Sequence, residues 1–166
     1  MTAYSTTTAR YLPVINDLNS YITSFNNFLK DEFSIPLFDT SLLEDDSYFH
    51  VLNGTWDKLS FSRRCGVGGV YFYFGYSTKD SNKLLVYVGK AWFTTITGQR
   101  LLSYFKHAFD ESEQIFNMDN EEMFHIETVI RIPLDKTVIT WLAPALEEYI
   151  IAELRKAKKY HFYYVR

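Results

Sequence analysis

Two runs of the chain could bring phenols together at the end of a hairpin. Val70-Tyr71-Phe72-Tyr73-Phe74 and Leu84-Leu85-Val86-Tyr87-Val88 flank a polar turn from Ser77 to Lys83. β-branched and aromatic residues favour strands, while Asp80, Ser81 and Asn82 favour a turn, so the spacing predicts a β-hairpin. With the turn centred near Asp80, Tyr73 faces Tyr87 and Tyr71 faces Gly89. Tyr71 and Tyr87 then become diagonal neighbours on one sheet face, within side-chain reach. Such a pair can be plain core, or it can handle a proton. Gly89 permits close approach of a backbone or ligand, and Lys90 at the strand end can meet a phosphate.

Further on, Arg100 and Tyr104 are four apart and share a helix face. Pointed at the strand ends, they make a donor-rich phosphate pocket; pointed elsewhere, they are a solvated Arg and a core Tyr. Glu147 and Glu148 open the last helix, where the helix dipole favours carboxylates. Glu147 borders that helix's apolar stripe and Glu148 turns toward solvent. A carboxylate aimed inward is a good ligand for a hard cation. The four histidines show no ligand spacing, although His107 falls near the Arg100 face. Gly66-Val67-Gly68-Gly69 lacks the Lys-Ser of a phosphate-binding loop and leads into a strand, which argues against a nucleotide cradle. The single cysteine, Cys65, allows no internal disulfide and no zinc cluster, and is read as a small residue beside the glycine-rich turn.

The elements that must position these residues follow from patterning. The 166 residues fit one domain, and an aromatic content of 18% is well above that of a disordered chain. Val14, Leu18, Ile22, Phe25 and Leu29 recur at helical spacing. They predict an amphipathic helix over 13–31, starting at Pro13 and packed on the domain or on a partner. Its other face carries Asn16, Asp17, Asn19, Asn26, Asn27 and Lys30. Within residues 34–65, Pro36 and Glu44-Asp45-Asp46 suggest irregular chain, and Thr55 to Phe61 reads as a short strand or a turn of helix. Beyond the hairpin come a helix over 97–108, an acidic surface excursion over 110–122, an alternating strand over 124–132, and a helix over 140–158. In that last helix Leu146, Tyr149, Ile150 and Leu154 are the expected buried stripe. Both hairpin strands are apolar throughout, so both sheet faces should be covered.

The formal net charge is −3, so any polyanion site must be a local patch. Residues 1–65 carry five Lys/Arg against eight Asp/Glu, whereas the remainder is balanced. Arg63, Arg64 and the basic tail containing Lys158 and Lys159 are the candidate patches. No signal peptide and no membrane-length apolar run is evident, so a cytoplasmic protein with no membrane partner is expected.

In order and combination, these elements resemble the GIY-YIG nuclease family. Gly69-Val70-Tyr71 stands as the first motif and Tyr87-Val88-Gly89 as the second. Arg100 follows as the helix arginine, and Glu147, in Leu146-Glu147-Glu148-Tyr149-Ile150-Ile151, as the metal-binding glutamate. Tyr87-Val88-Gly89-Lys90-Ala91 and Arg100-Leu101-Leu102-Ser103-Tyr104-Phe105 look like stretches of the nuclease half of the bacterial excision-repair incision enzyme. The likeness spans residues 66–158; the stand-alone size is similar to the small restriction endonucleases of the family. The loops on either side of Arg100 are longer than in compact members. The frequent asparagine after the last helix has no match in Lys158-Lys159-Tyr160-His161-Phe162.

The resemblance implies an α+β fold: a small three-stranded antiparallel sheet flanked by helices (66–166), with an N-terminal helical extension (1–65). It implies an endonuclease hydrolysing DNA phosphodiesters, duplex DNA foremost, with a restriction or phage-related role ahead of repair. Glu147 would hold one divalent cation, Mg²⁺ with Mn²⁺ able to substitute. Tyr71 or Tyr87 would accept a proton from the attacking water, Lys90 and Arg100 would stabilise phosphate charge, and Tyr104 would orient water or phosphate. Arg63, Arg64, Gly89, Lys158 and Lys159 would contact substrate. A homodimer would suit double-strand cutting. The alternatives are a non-catalytic nucleic-acid-binding or interaction domain of the same fold and an RNA-directed nuclease.

Overall fold

The computed structural model describes residues 4–38, 48–50, 69–91, 115–118, 122–134 and 140–163. Among the described residues two α-helices, α1 (Tyr4–Asn26) and α2 (Ala143–Ala157), accompany six strands. These are β1 (Tyr48–His50), β2 (Gly69–Ser77), β3 (Leu84–Ala91), β4 (Ile115–Met118), β5 (Glu122–Pro133) and β6 (His161–Tyr163). The class is α+β. The sheet runs β1-β5-β2-β3-β6, with β4 also pairing β5. All pairings are antiparallel except β3 with β6.

β5, β2 and β3, which cover the three expected strands, lie at the centre of a sheet that has six strands among the described residues. β1 lies within the stretch read as irregular, and β4 within the stretch read as a surface excursion. Both pair with β5, at His50↔Thr128 and Ile115↔His125 among other positions. Three- and four-residue strands are too short for alternation to reveal, and only long-range pairing defines them.

Strand alternation sorts the hairpin into two faces. Val70, Phe72 and Phe74 of β2, with Val86 and Val88 of β3, pack in one core with residues of α1 and α2. Tyr71 and Tyr73, with Leu85 and Tyr87, fall on the opposite face by period-two alternation. Those residues are buried as well, as two wholly apolar strands predict.

Helix α1 begins before Pro13, not at it, and runs through the proline. Proline forfeits a helical hydrogen bond and crowds the preceding turn. The turn before it is anchored instead by Tyr11, fully buried and stacked on Phe74 at 5.4 Å between ring centroids. Val14, Ile15, Leu18, Ile22 and Phe25 continue the buried stripe into the core shared with the sheet.

Two of the asparagines assigned to the helix's outer face do structural work. The Asn19 carboxamide donates to the Phe38 carbonyl and accepts from the Phe38 amide, each at 2.8 Å. Asn26 does the same with Ile35, each at 2.9 Å. Spaced by two helical turns, they clamp the returning chain 35–38 as a neighbouring strand would and seat Ile35 and Phe38 in the core. Removing a buried polar partner exposes the full desolvation cost of what it satisfied. Asn26→Ala should therefore lower the unfolding free energy by about 1–3 kcal/mol, read as a lower urea midpoint; an unchanged midpoint would contradict the clamp.

At the other end of α2, Lys158 takes a left-handed conformation (φ 53°) and turns the chain back toward α1. Tyr160 donates its phenol proton to Asp17 at 2.9 Å. Burial, and then the bond to Asp17, push this phenol above its ordinary range. The folded state keeps its proton where the unfolded chain loses it, so this contribution is whole below about pH 10 and declines above it. The wild-type advantage over Tyr160→Phe should accordingly shrink as pH rises from about 9 to 11, measured by denaturant unfolding; a pH-independent difference would contradict the assignment.

Candidate active site

The hairpin register is the one its turn implies. Tyr73 pairs with Tyr87, Tyr71 with Gly89, and Val70 with Lys90. The three tyrosines form one cluster. Ring centroids lie 6.3 Å apart for Tyr71 and Tyr87, 5.7 Å for Tyr71 and Tyr73, and 5.2 Å for Tyr73 and Tyr87. Tyr73 was not among the expected site residues, although the same pairing rule put it opposite Tyr87. Arg131 of β5 occupies the register position across from Tyr71 on the other side of β2.

Both motif glycines have a steric reason to be glycine. A Cβ at Gly89 would lie 2.5 Å from Cζ and 2.6 Å from Oη of Tyr71. The Tyr71 ring thus lies across the β3 backbone in the space a side chain would fill. At Gly69, a Cβ would lie 2.1 Å from the Ile132 carbonyl oxygen.

Glu147 comes from the first half of α2, where Pro144 occupies the opening turn. The residue is buried at 5% exposure, while Glu148 is exposed. Leu146, Ile150, Ile151 and Leu154 are the buried apolar neighbours on this helix, and Tyr149 is only half-buried. Lys90 Nζ donates to Glu147 Oε2 in a direct ion pair. A carboxylate buried to this degree is costly unless a positive group answers it, and Lys90 supplies that charge across the helix–sheet junction.

The sequence-predicted residues thus fall into groups. Tyr71, Tyr87 and Gly89 meet on one face of the hairpin. Lys90 and Glu147 meet on the other, at the adjacent register step. Lys158 is exposed at the end of α2, and Lys159 is held at 3.2 Å from Asp17. Arg63, Arg64, Arg100 and Tyr104, with Cys65, His107 and the 97–108 helix, lie outside the described residues. The Lys90–Glu147 contact joins residues 57 apart, and no local spacing could have signalled it.

Among the described residues, no three His, Cys, Asp or Glu side chains gather as a cation site. Mg²⁺ is commonly held by one or two carboxylates, with waters and substrate phosphates completing its shell. Glu147 offers one inward carboxylate, and its Oε2 takes the Lys90 ammonium. No described helix is long and apolar enough to cross a membrane. Comparison with protein-family models, with curated proteins and with solved structures found no match.

Gly89→Ala tests the steric part of this geometry. The added methyl must displace the Tyr71 ring, and overpacking of this kind costs about 1–3 kcal/mol. Tyr71→Ala should relieve the clash, so the double variant should lose less than the two single losses summed. Additive losses in thermal unfolding would show that the ring does not lie on Gly89.

Proposed function

We propose that this chain is a metal-dependent endonuclease of the GIY-YIG type, hydrolysing phosphodiester bonds of duplex DNA. The observation that carries the reading is the arrangement at one end of the β2–β3 hairpin, with the tyrosines on one sheet face and the Lys90–Glu147 pair, one register step on, on the other. There Tyr71 lies over Gly89, and the next residue, Lys90, meets the buried carboxylate of Glu147. In this reading the antiparallel core β5-β2-β3 would stand for the three-stranded sheet that the resemblance implies, with β1, β4 and β6 as additions at its edges.

In this reading Glu147 would hold a divalent cation, Mg²⁺ or Mn²⁺, which would supply Lewis acidity for phosphodiester hydrolysis. Lys90 and Arg100 stabilise the charge that grows on the phosphate. A phenol accepts the proton of the attacking water. A free phenol titrates near pH 10 and is a poor base at neutrality, so it needs cationic neighbours. Tyr71 or Tyr87 would serve; Tyr71 is one register step from Lys90, on the opposite face of the sheet. Tyr104 orients water or phosphate, and Arg63, Arg64, Lys158 and Lys159 are the substrate contacts away from the reacting atoms. A homodimer would cut both strands.

The expected result for Glu147→Gln is loss of Mg²⁺-dependent cleavage of duplex DNA by on the order of 10³-fold, with the circular-dichroism spectrum unchanged. Full activity in that variant would remove Glu147 from the chemistry. A second reading, a non-catalytic nucleic-acid-binding domain of the same fold, is favoured by one feature: the Lys90–Glu147 pair satisfies itself without a metal. Salt-dependent DNA binding without cleavage, indifferent to Glu147→Gln, would select it. Parallel assays on single strands and RNA separate DNA-directed from RNA-directed action.

A further inference from the structure

The Lys90–Glu147 contact suggests more than a stabilising pair, given the metal-dependent reading above on which this inference rests. The Glu147 side chain is 7% exposed, and the other buried residues of α2 are apolar. A carboxylate there needs a permanent positive partner. Lys90 differs from Glu147 in one respect: its side chain is 35% exposed. Its backbone is fixed in β3, opposite Val70, but its flexible stem lets the ammonium swing into water without moving the strand. The pair thus combines an immobile anion with a mobile cation.

We propose that the Lys90 ammonium is the resident counter-ion of Glu147 and competes with a divalent cation for Oε2. Metal entry then frees Lys90 for the substrate phosphate. No bond is made or broken in the exchange; one cation replaces another on the same oxygen. The protein folds with the site neutralised, and the lysine becomes available to the phosphate when the metal is in place. The choice of lysine matters. An ammonium is a single, readily hydrated point charge, whereas a guanidinium can hold both carboxylate oxygens at once and is harder to displace.

The test is Mn²⁺ binding to the full chain, read by the loss of the free-ion electron paramagnetic resonance signal, without DNA. Lys90→Met should bind Mn²⁺ about tenfold more tightly than wild type, and Lys90→Arg about tenfold more weakly. Glu147→Gln should not bind. A purely structural role would predict no change for arginine, which preserves the pair. Should Lys90→Met fail to fold without metal, the Lys90→Arg arm decides, and equal affinity to wild type overturns the proposal. Equal or weaker binding by folded Lys90→Met also overturns it. If wild type binds no Mn²⁺, this proposal and the metal-dependent reading fall together. Mn²⁺-dependent cleavage with unaltered affinity in Lys90→Met sinks this proposal alone.

Discussion

Glu147 lies on the buried side of a helix whose inner face is otherwise aliphatic, and its charge has to be answered from the sheet. Lys90 answers it, and that requirement constrains much of the molecule. The lysine must stand at the end of β3, with α2 crossing the hairpin close enough for the contact. Val70, opposite Lys90, and Leu146 and Ile150, beside Glu147, form the apolar frame that holds the two elements together. Removing one partner of a buried pair is generally destabilising, whereas replacing the whole pair by apolar residues is often neutral or better. The pair is therefore better understood as a fixer of geometry than as a source of stability.

The same register step ties this contact to the tyrosine cluster. Lys90 follows Gly89, and Gly89 is bare so that the Tyr71 ring can lie on the strand. A slip of one residue would send every side chain of β3 to the other face. It would separate Lys90 from Glu147 and Tyr87 from its aromatic partners together. Packing on both faces thus specifies the alignment that the proposed chemistry requires. On the helix side, α1 contributes to the same core, and its asparagine clamps and the Tyr160–Asp17 bond hold the chain against it before and after.

The hairpin was the most legible part of the chain. Two aromatic strands and a polar turn of known centre leave one pairing, and Tyr73↔Tyr87 and Tyr71↔Gly89 follow from it. Helix α2 was nearly as clear: Leu146, Ile150 and Leu154 repeat at helical spacing, and Glu147 falls at the stripe's border and is buried with it. Where reading failed, the cause was non-local. Pro13 signals a helix start in isolation, but Tyr11 stacking on Phe74 carries the helix past it. Asn19 and Asn26 resemble solvated polar residues until the chain at 35–38 returns beside them. Strands β1, β4 and β6 exist through their partners and have little pattern of their own. The Lys90–Glu147 contact belongs to this group, since neither residue's surroundings in sequence name the other.

The proposed metal-dependent cleavage is tested by incubating the purified protein with supercoiled plasmid, with and without Mg²⁺, and sequencing the product ends. The expected outcome is metal-dependent nicking or linearisation that leaves 3′-hydroxyl and 5′-phosphate ends. Absence of cleavage of DNA and RNA alike, with Mg²⁺ and with Mn²⁺, would contradict it.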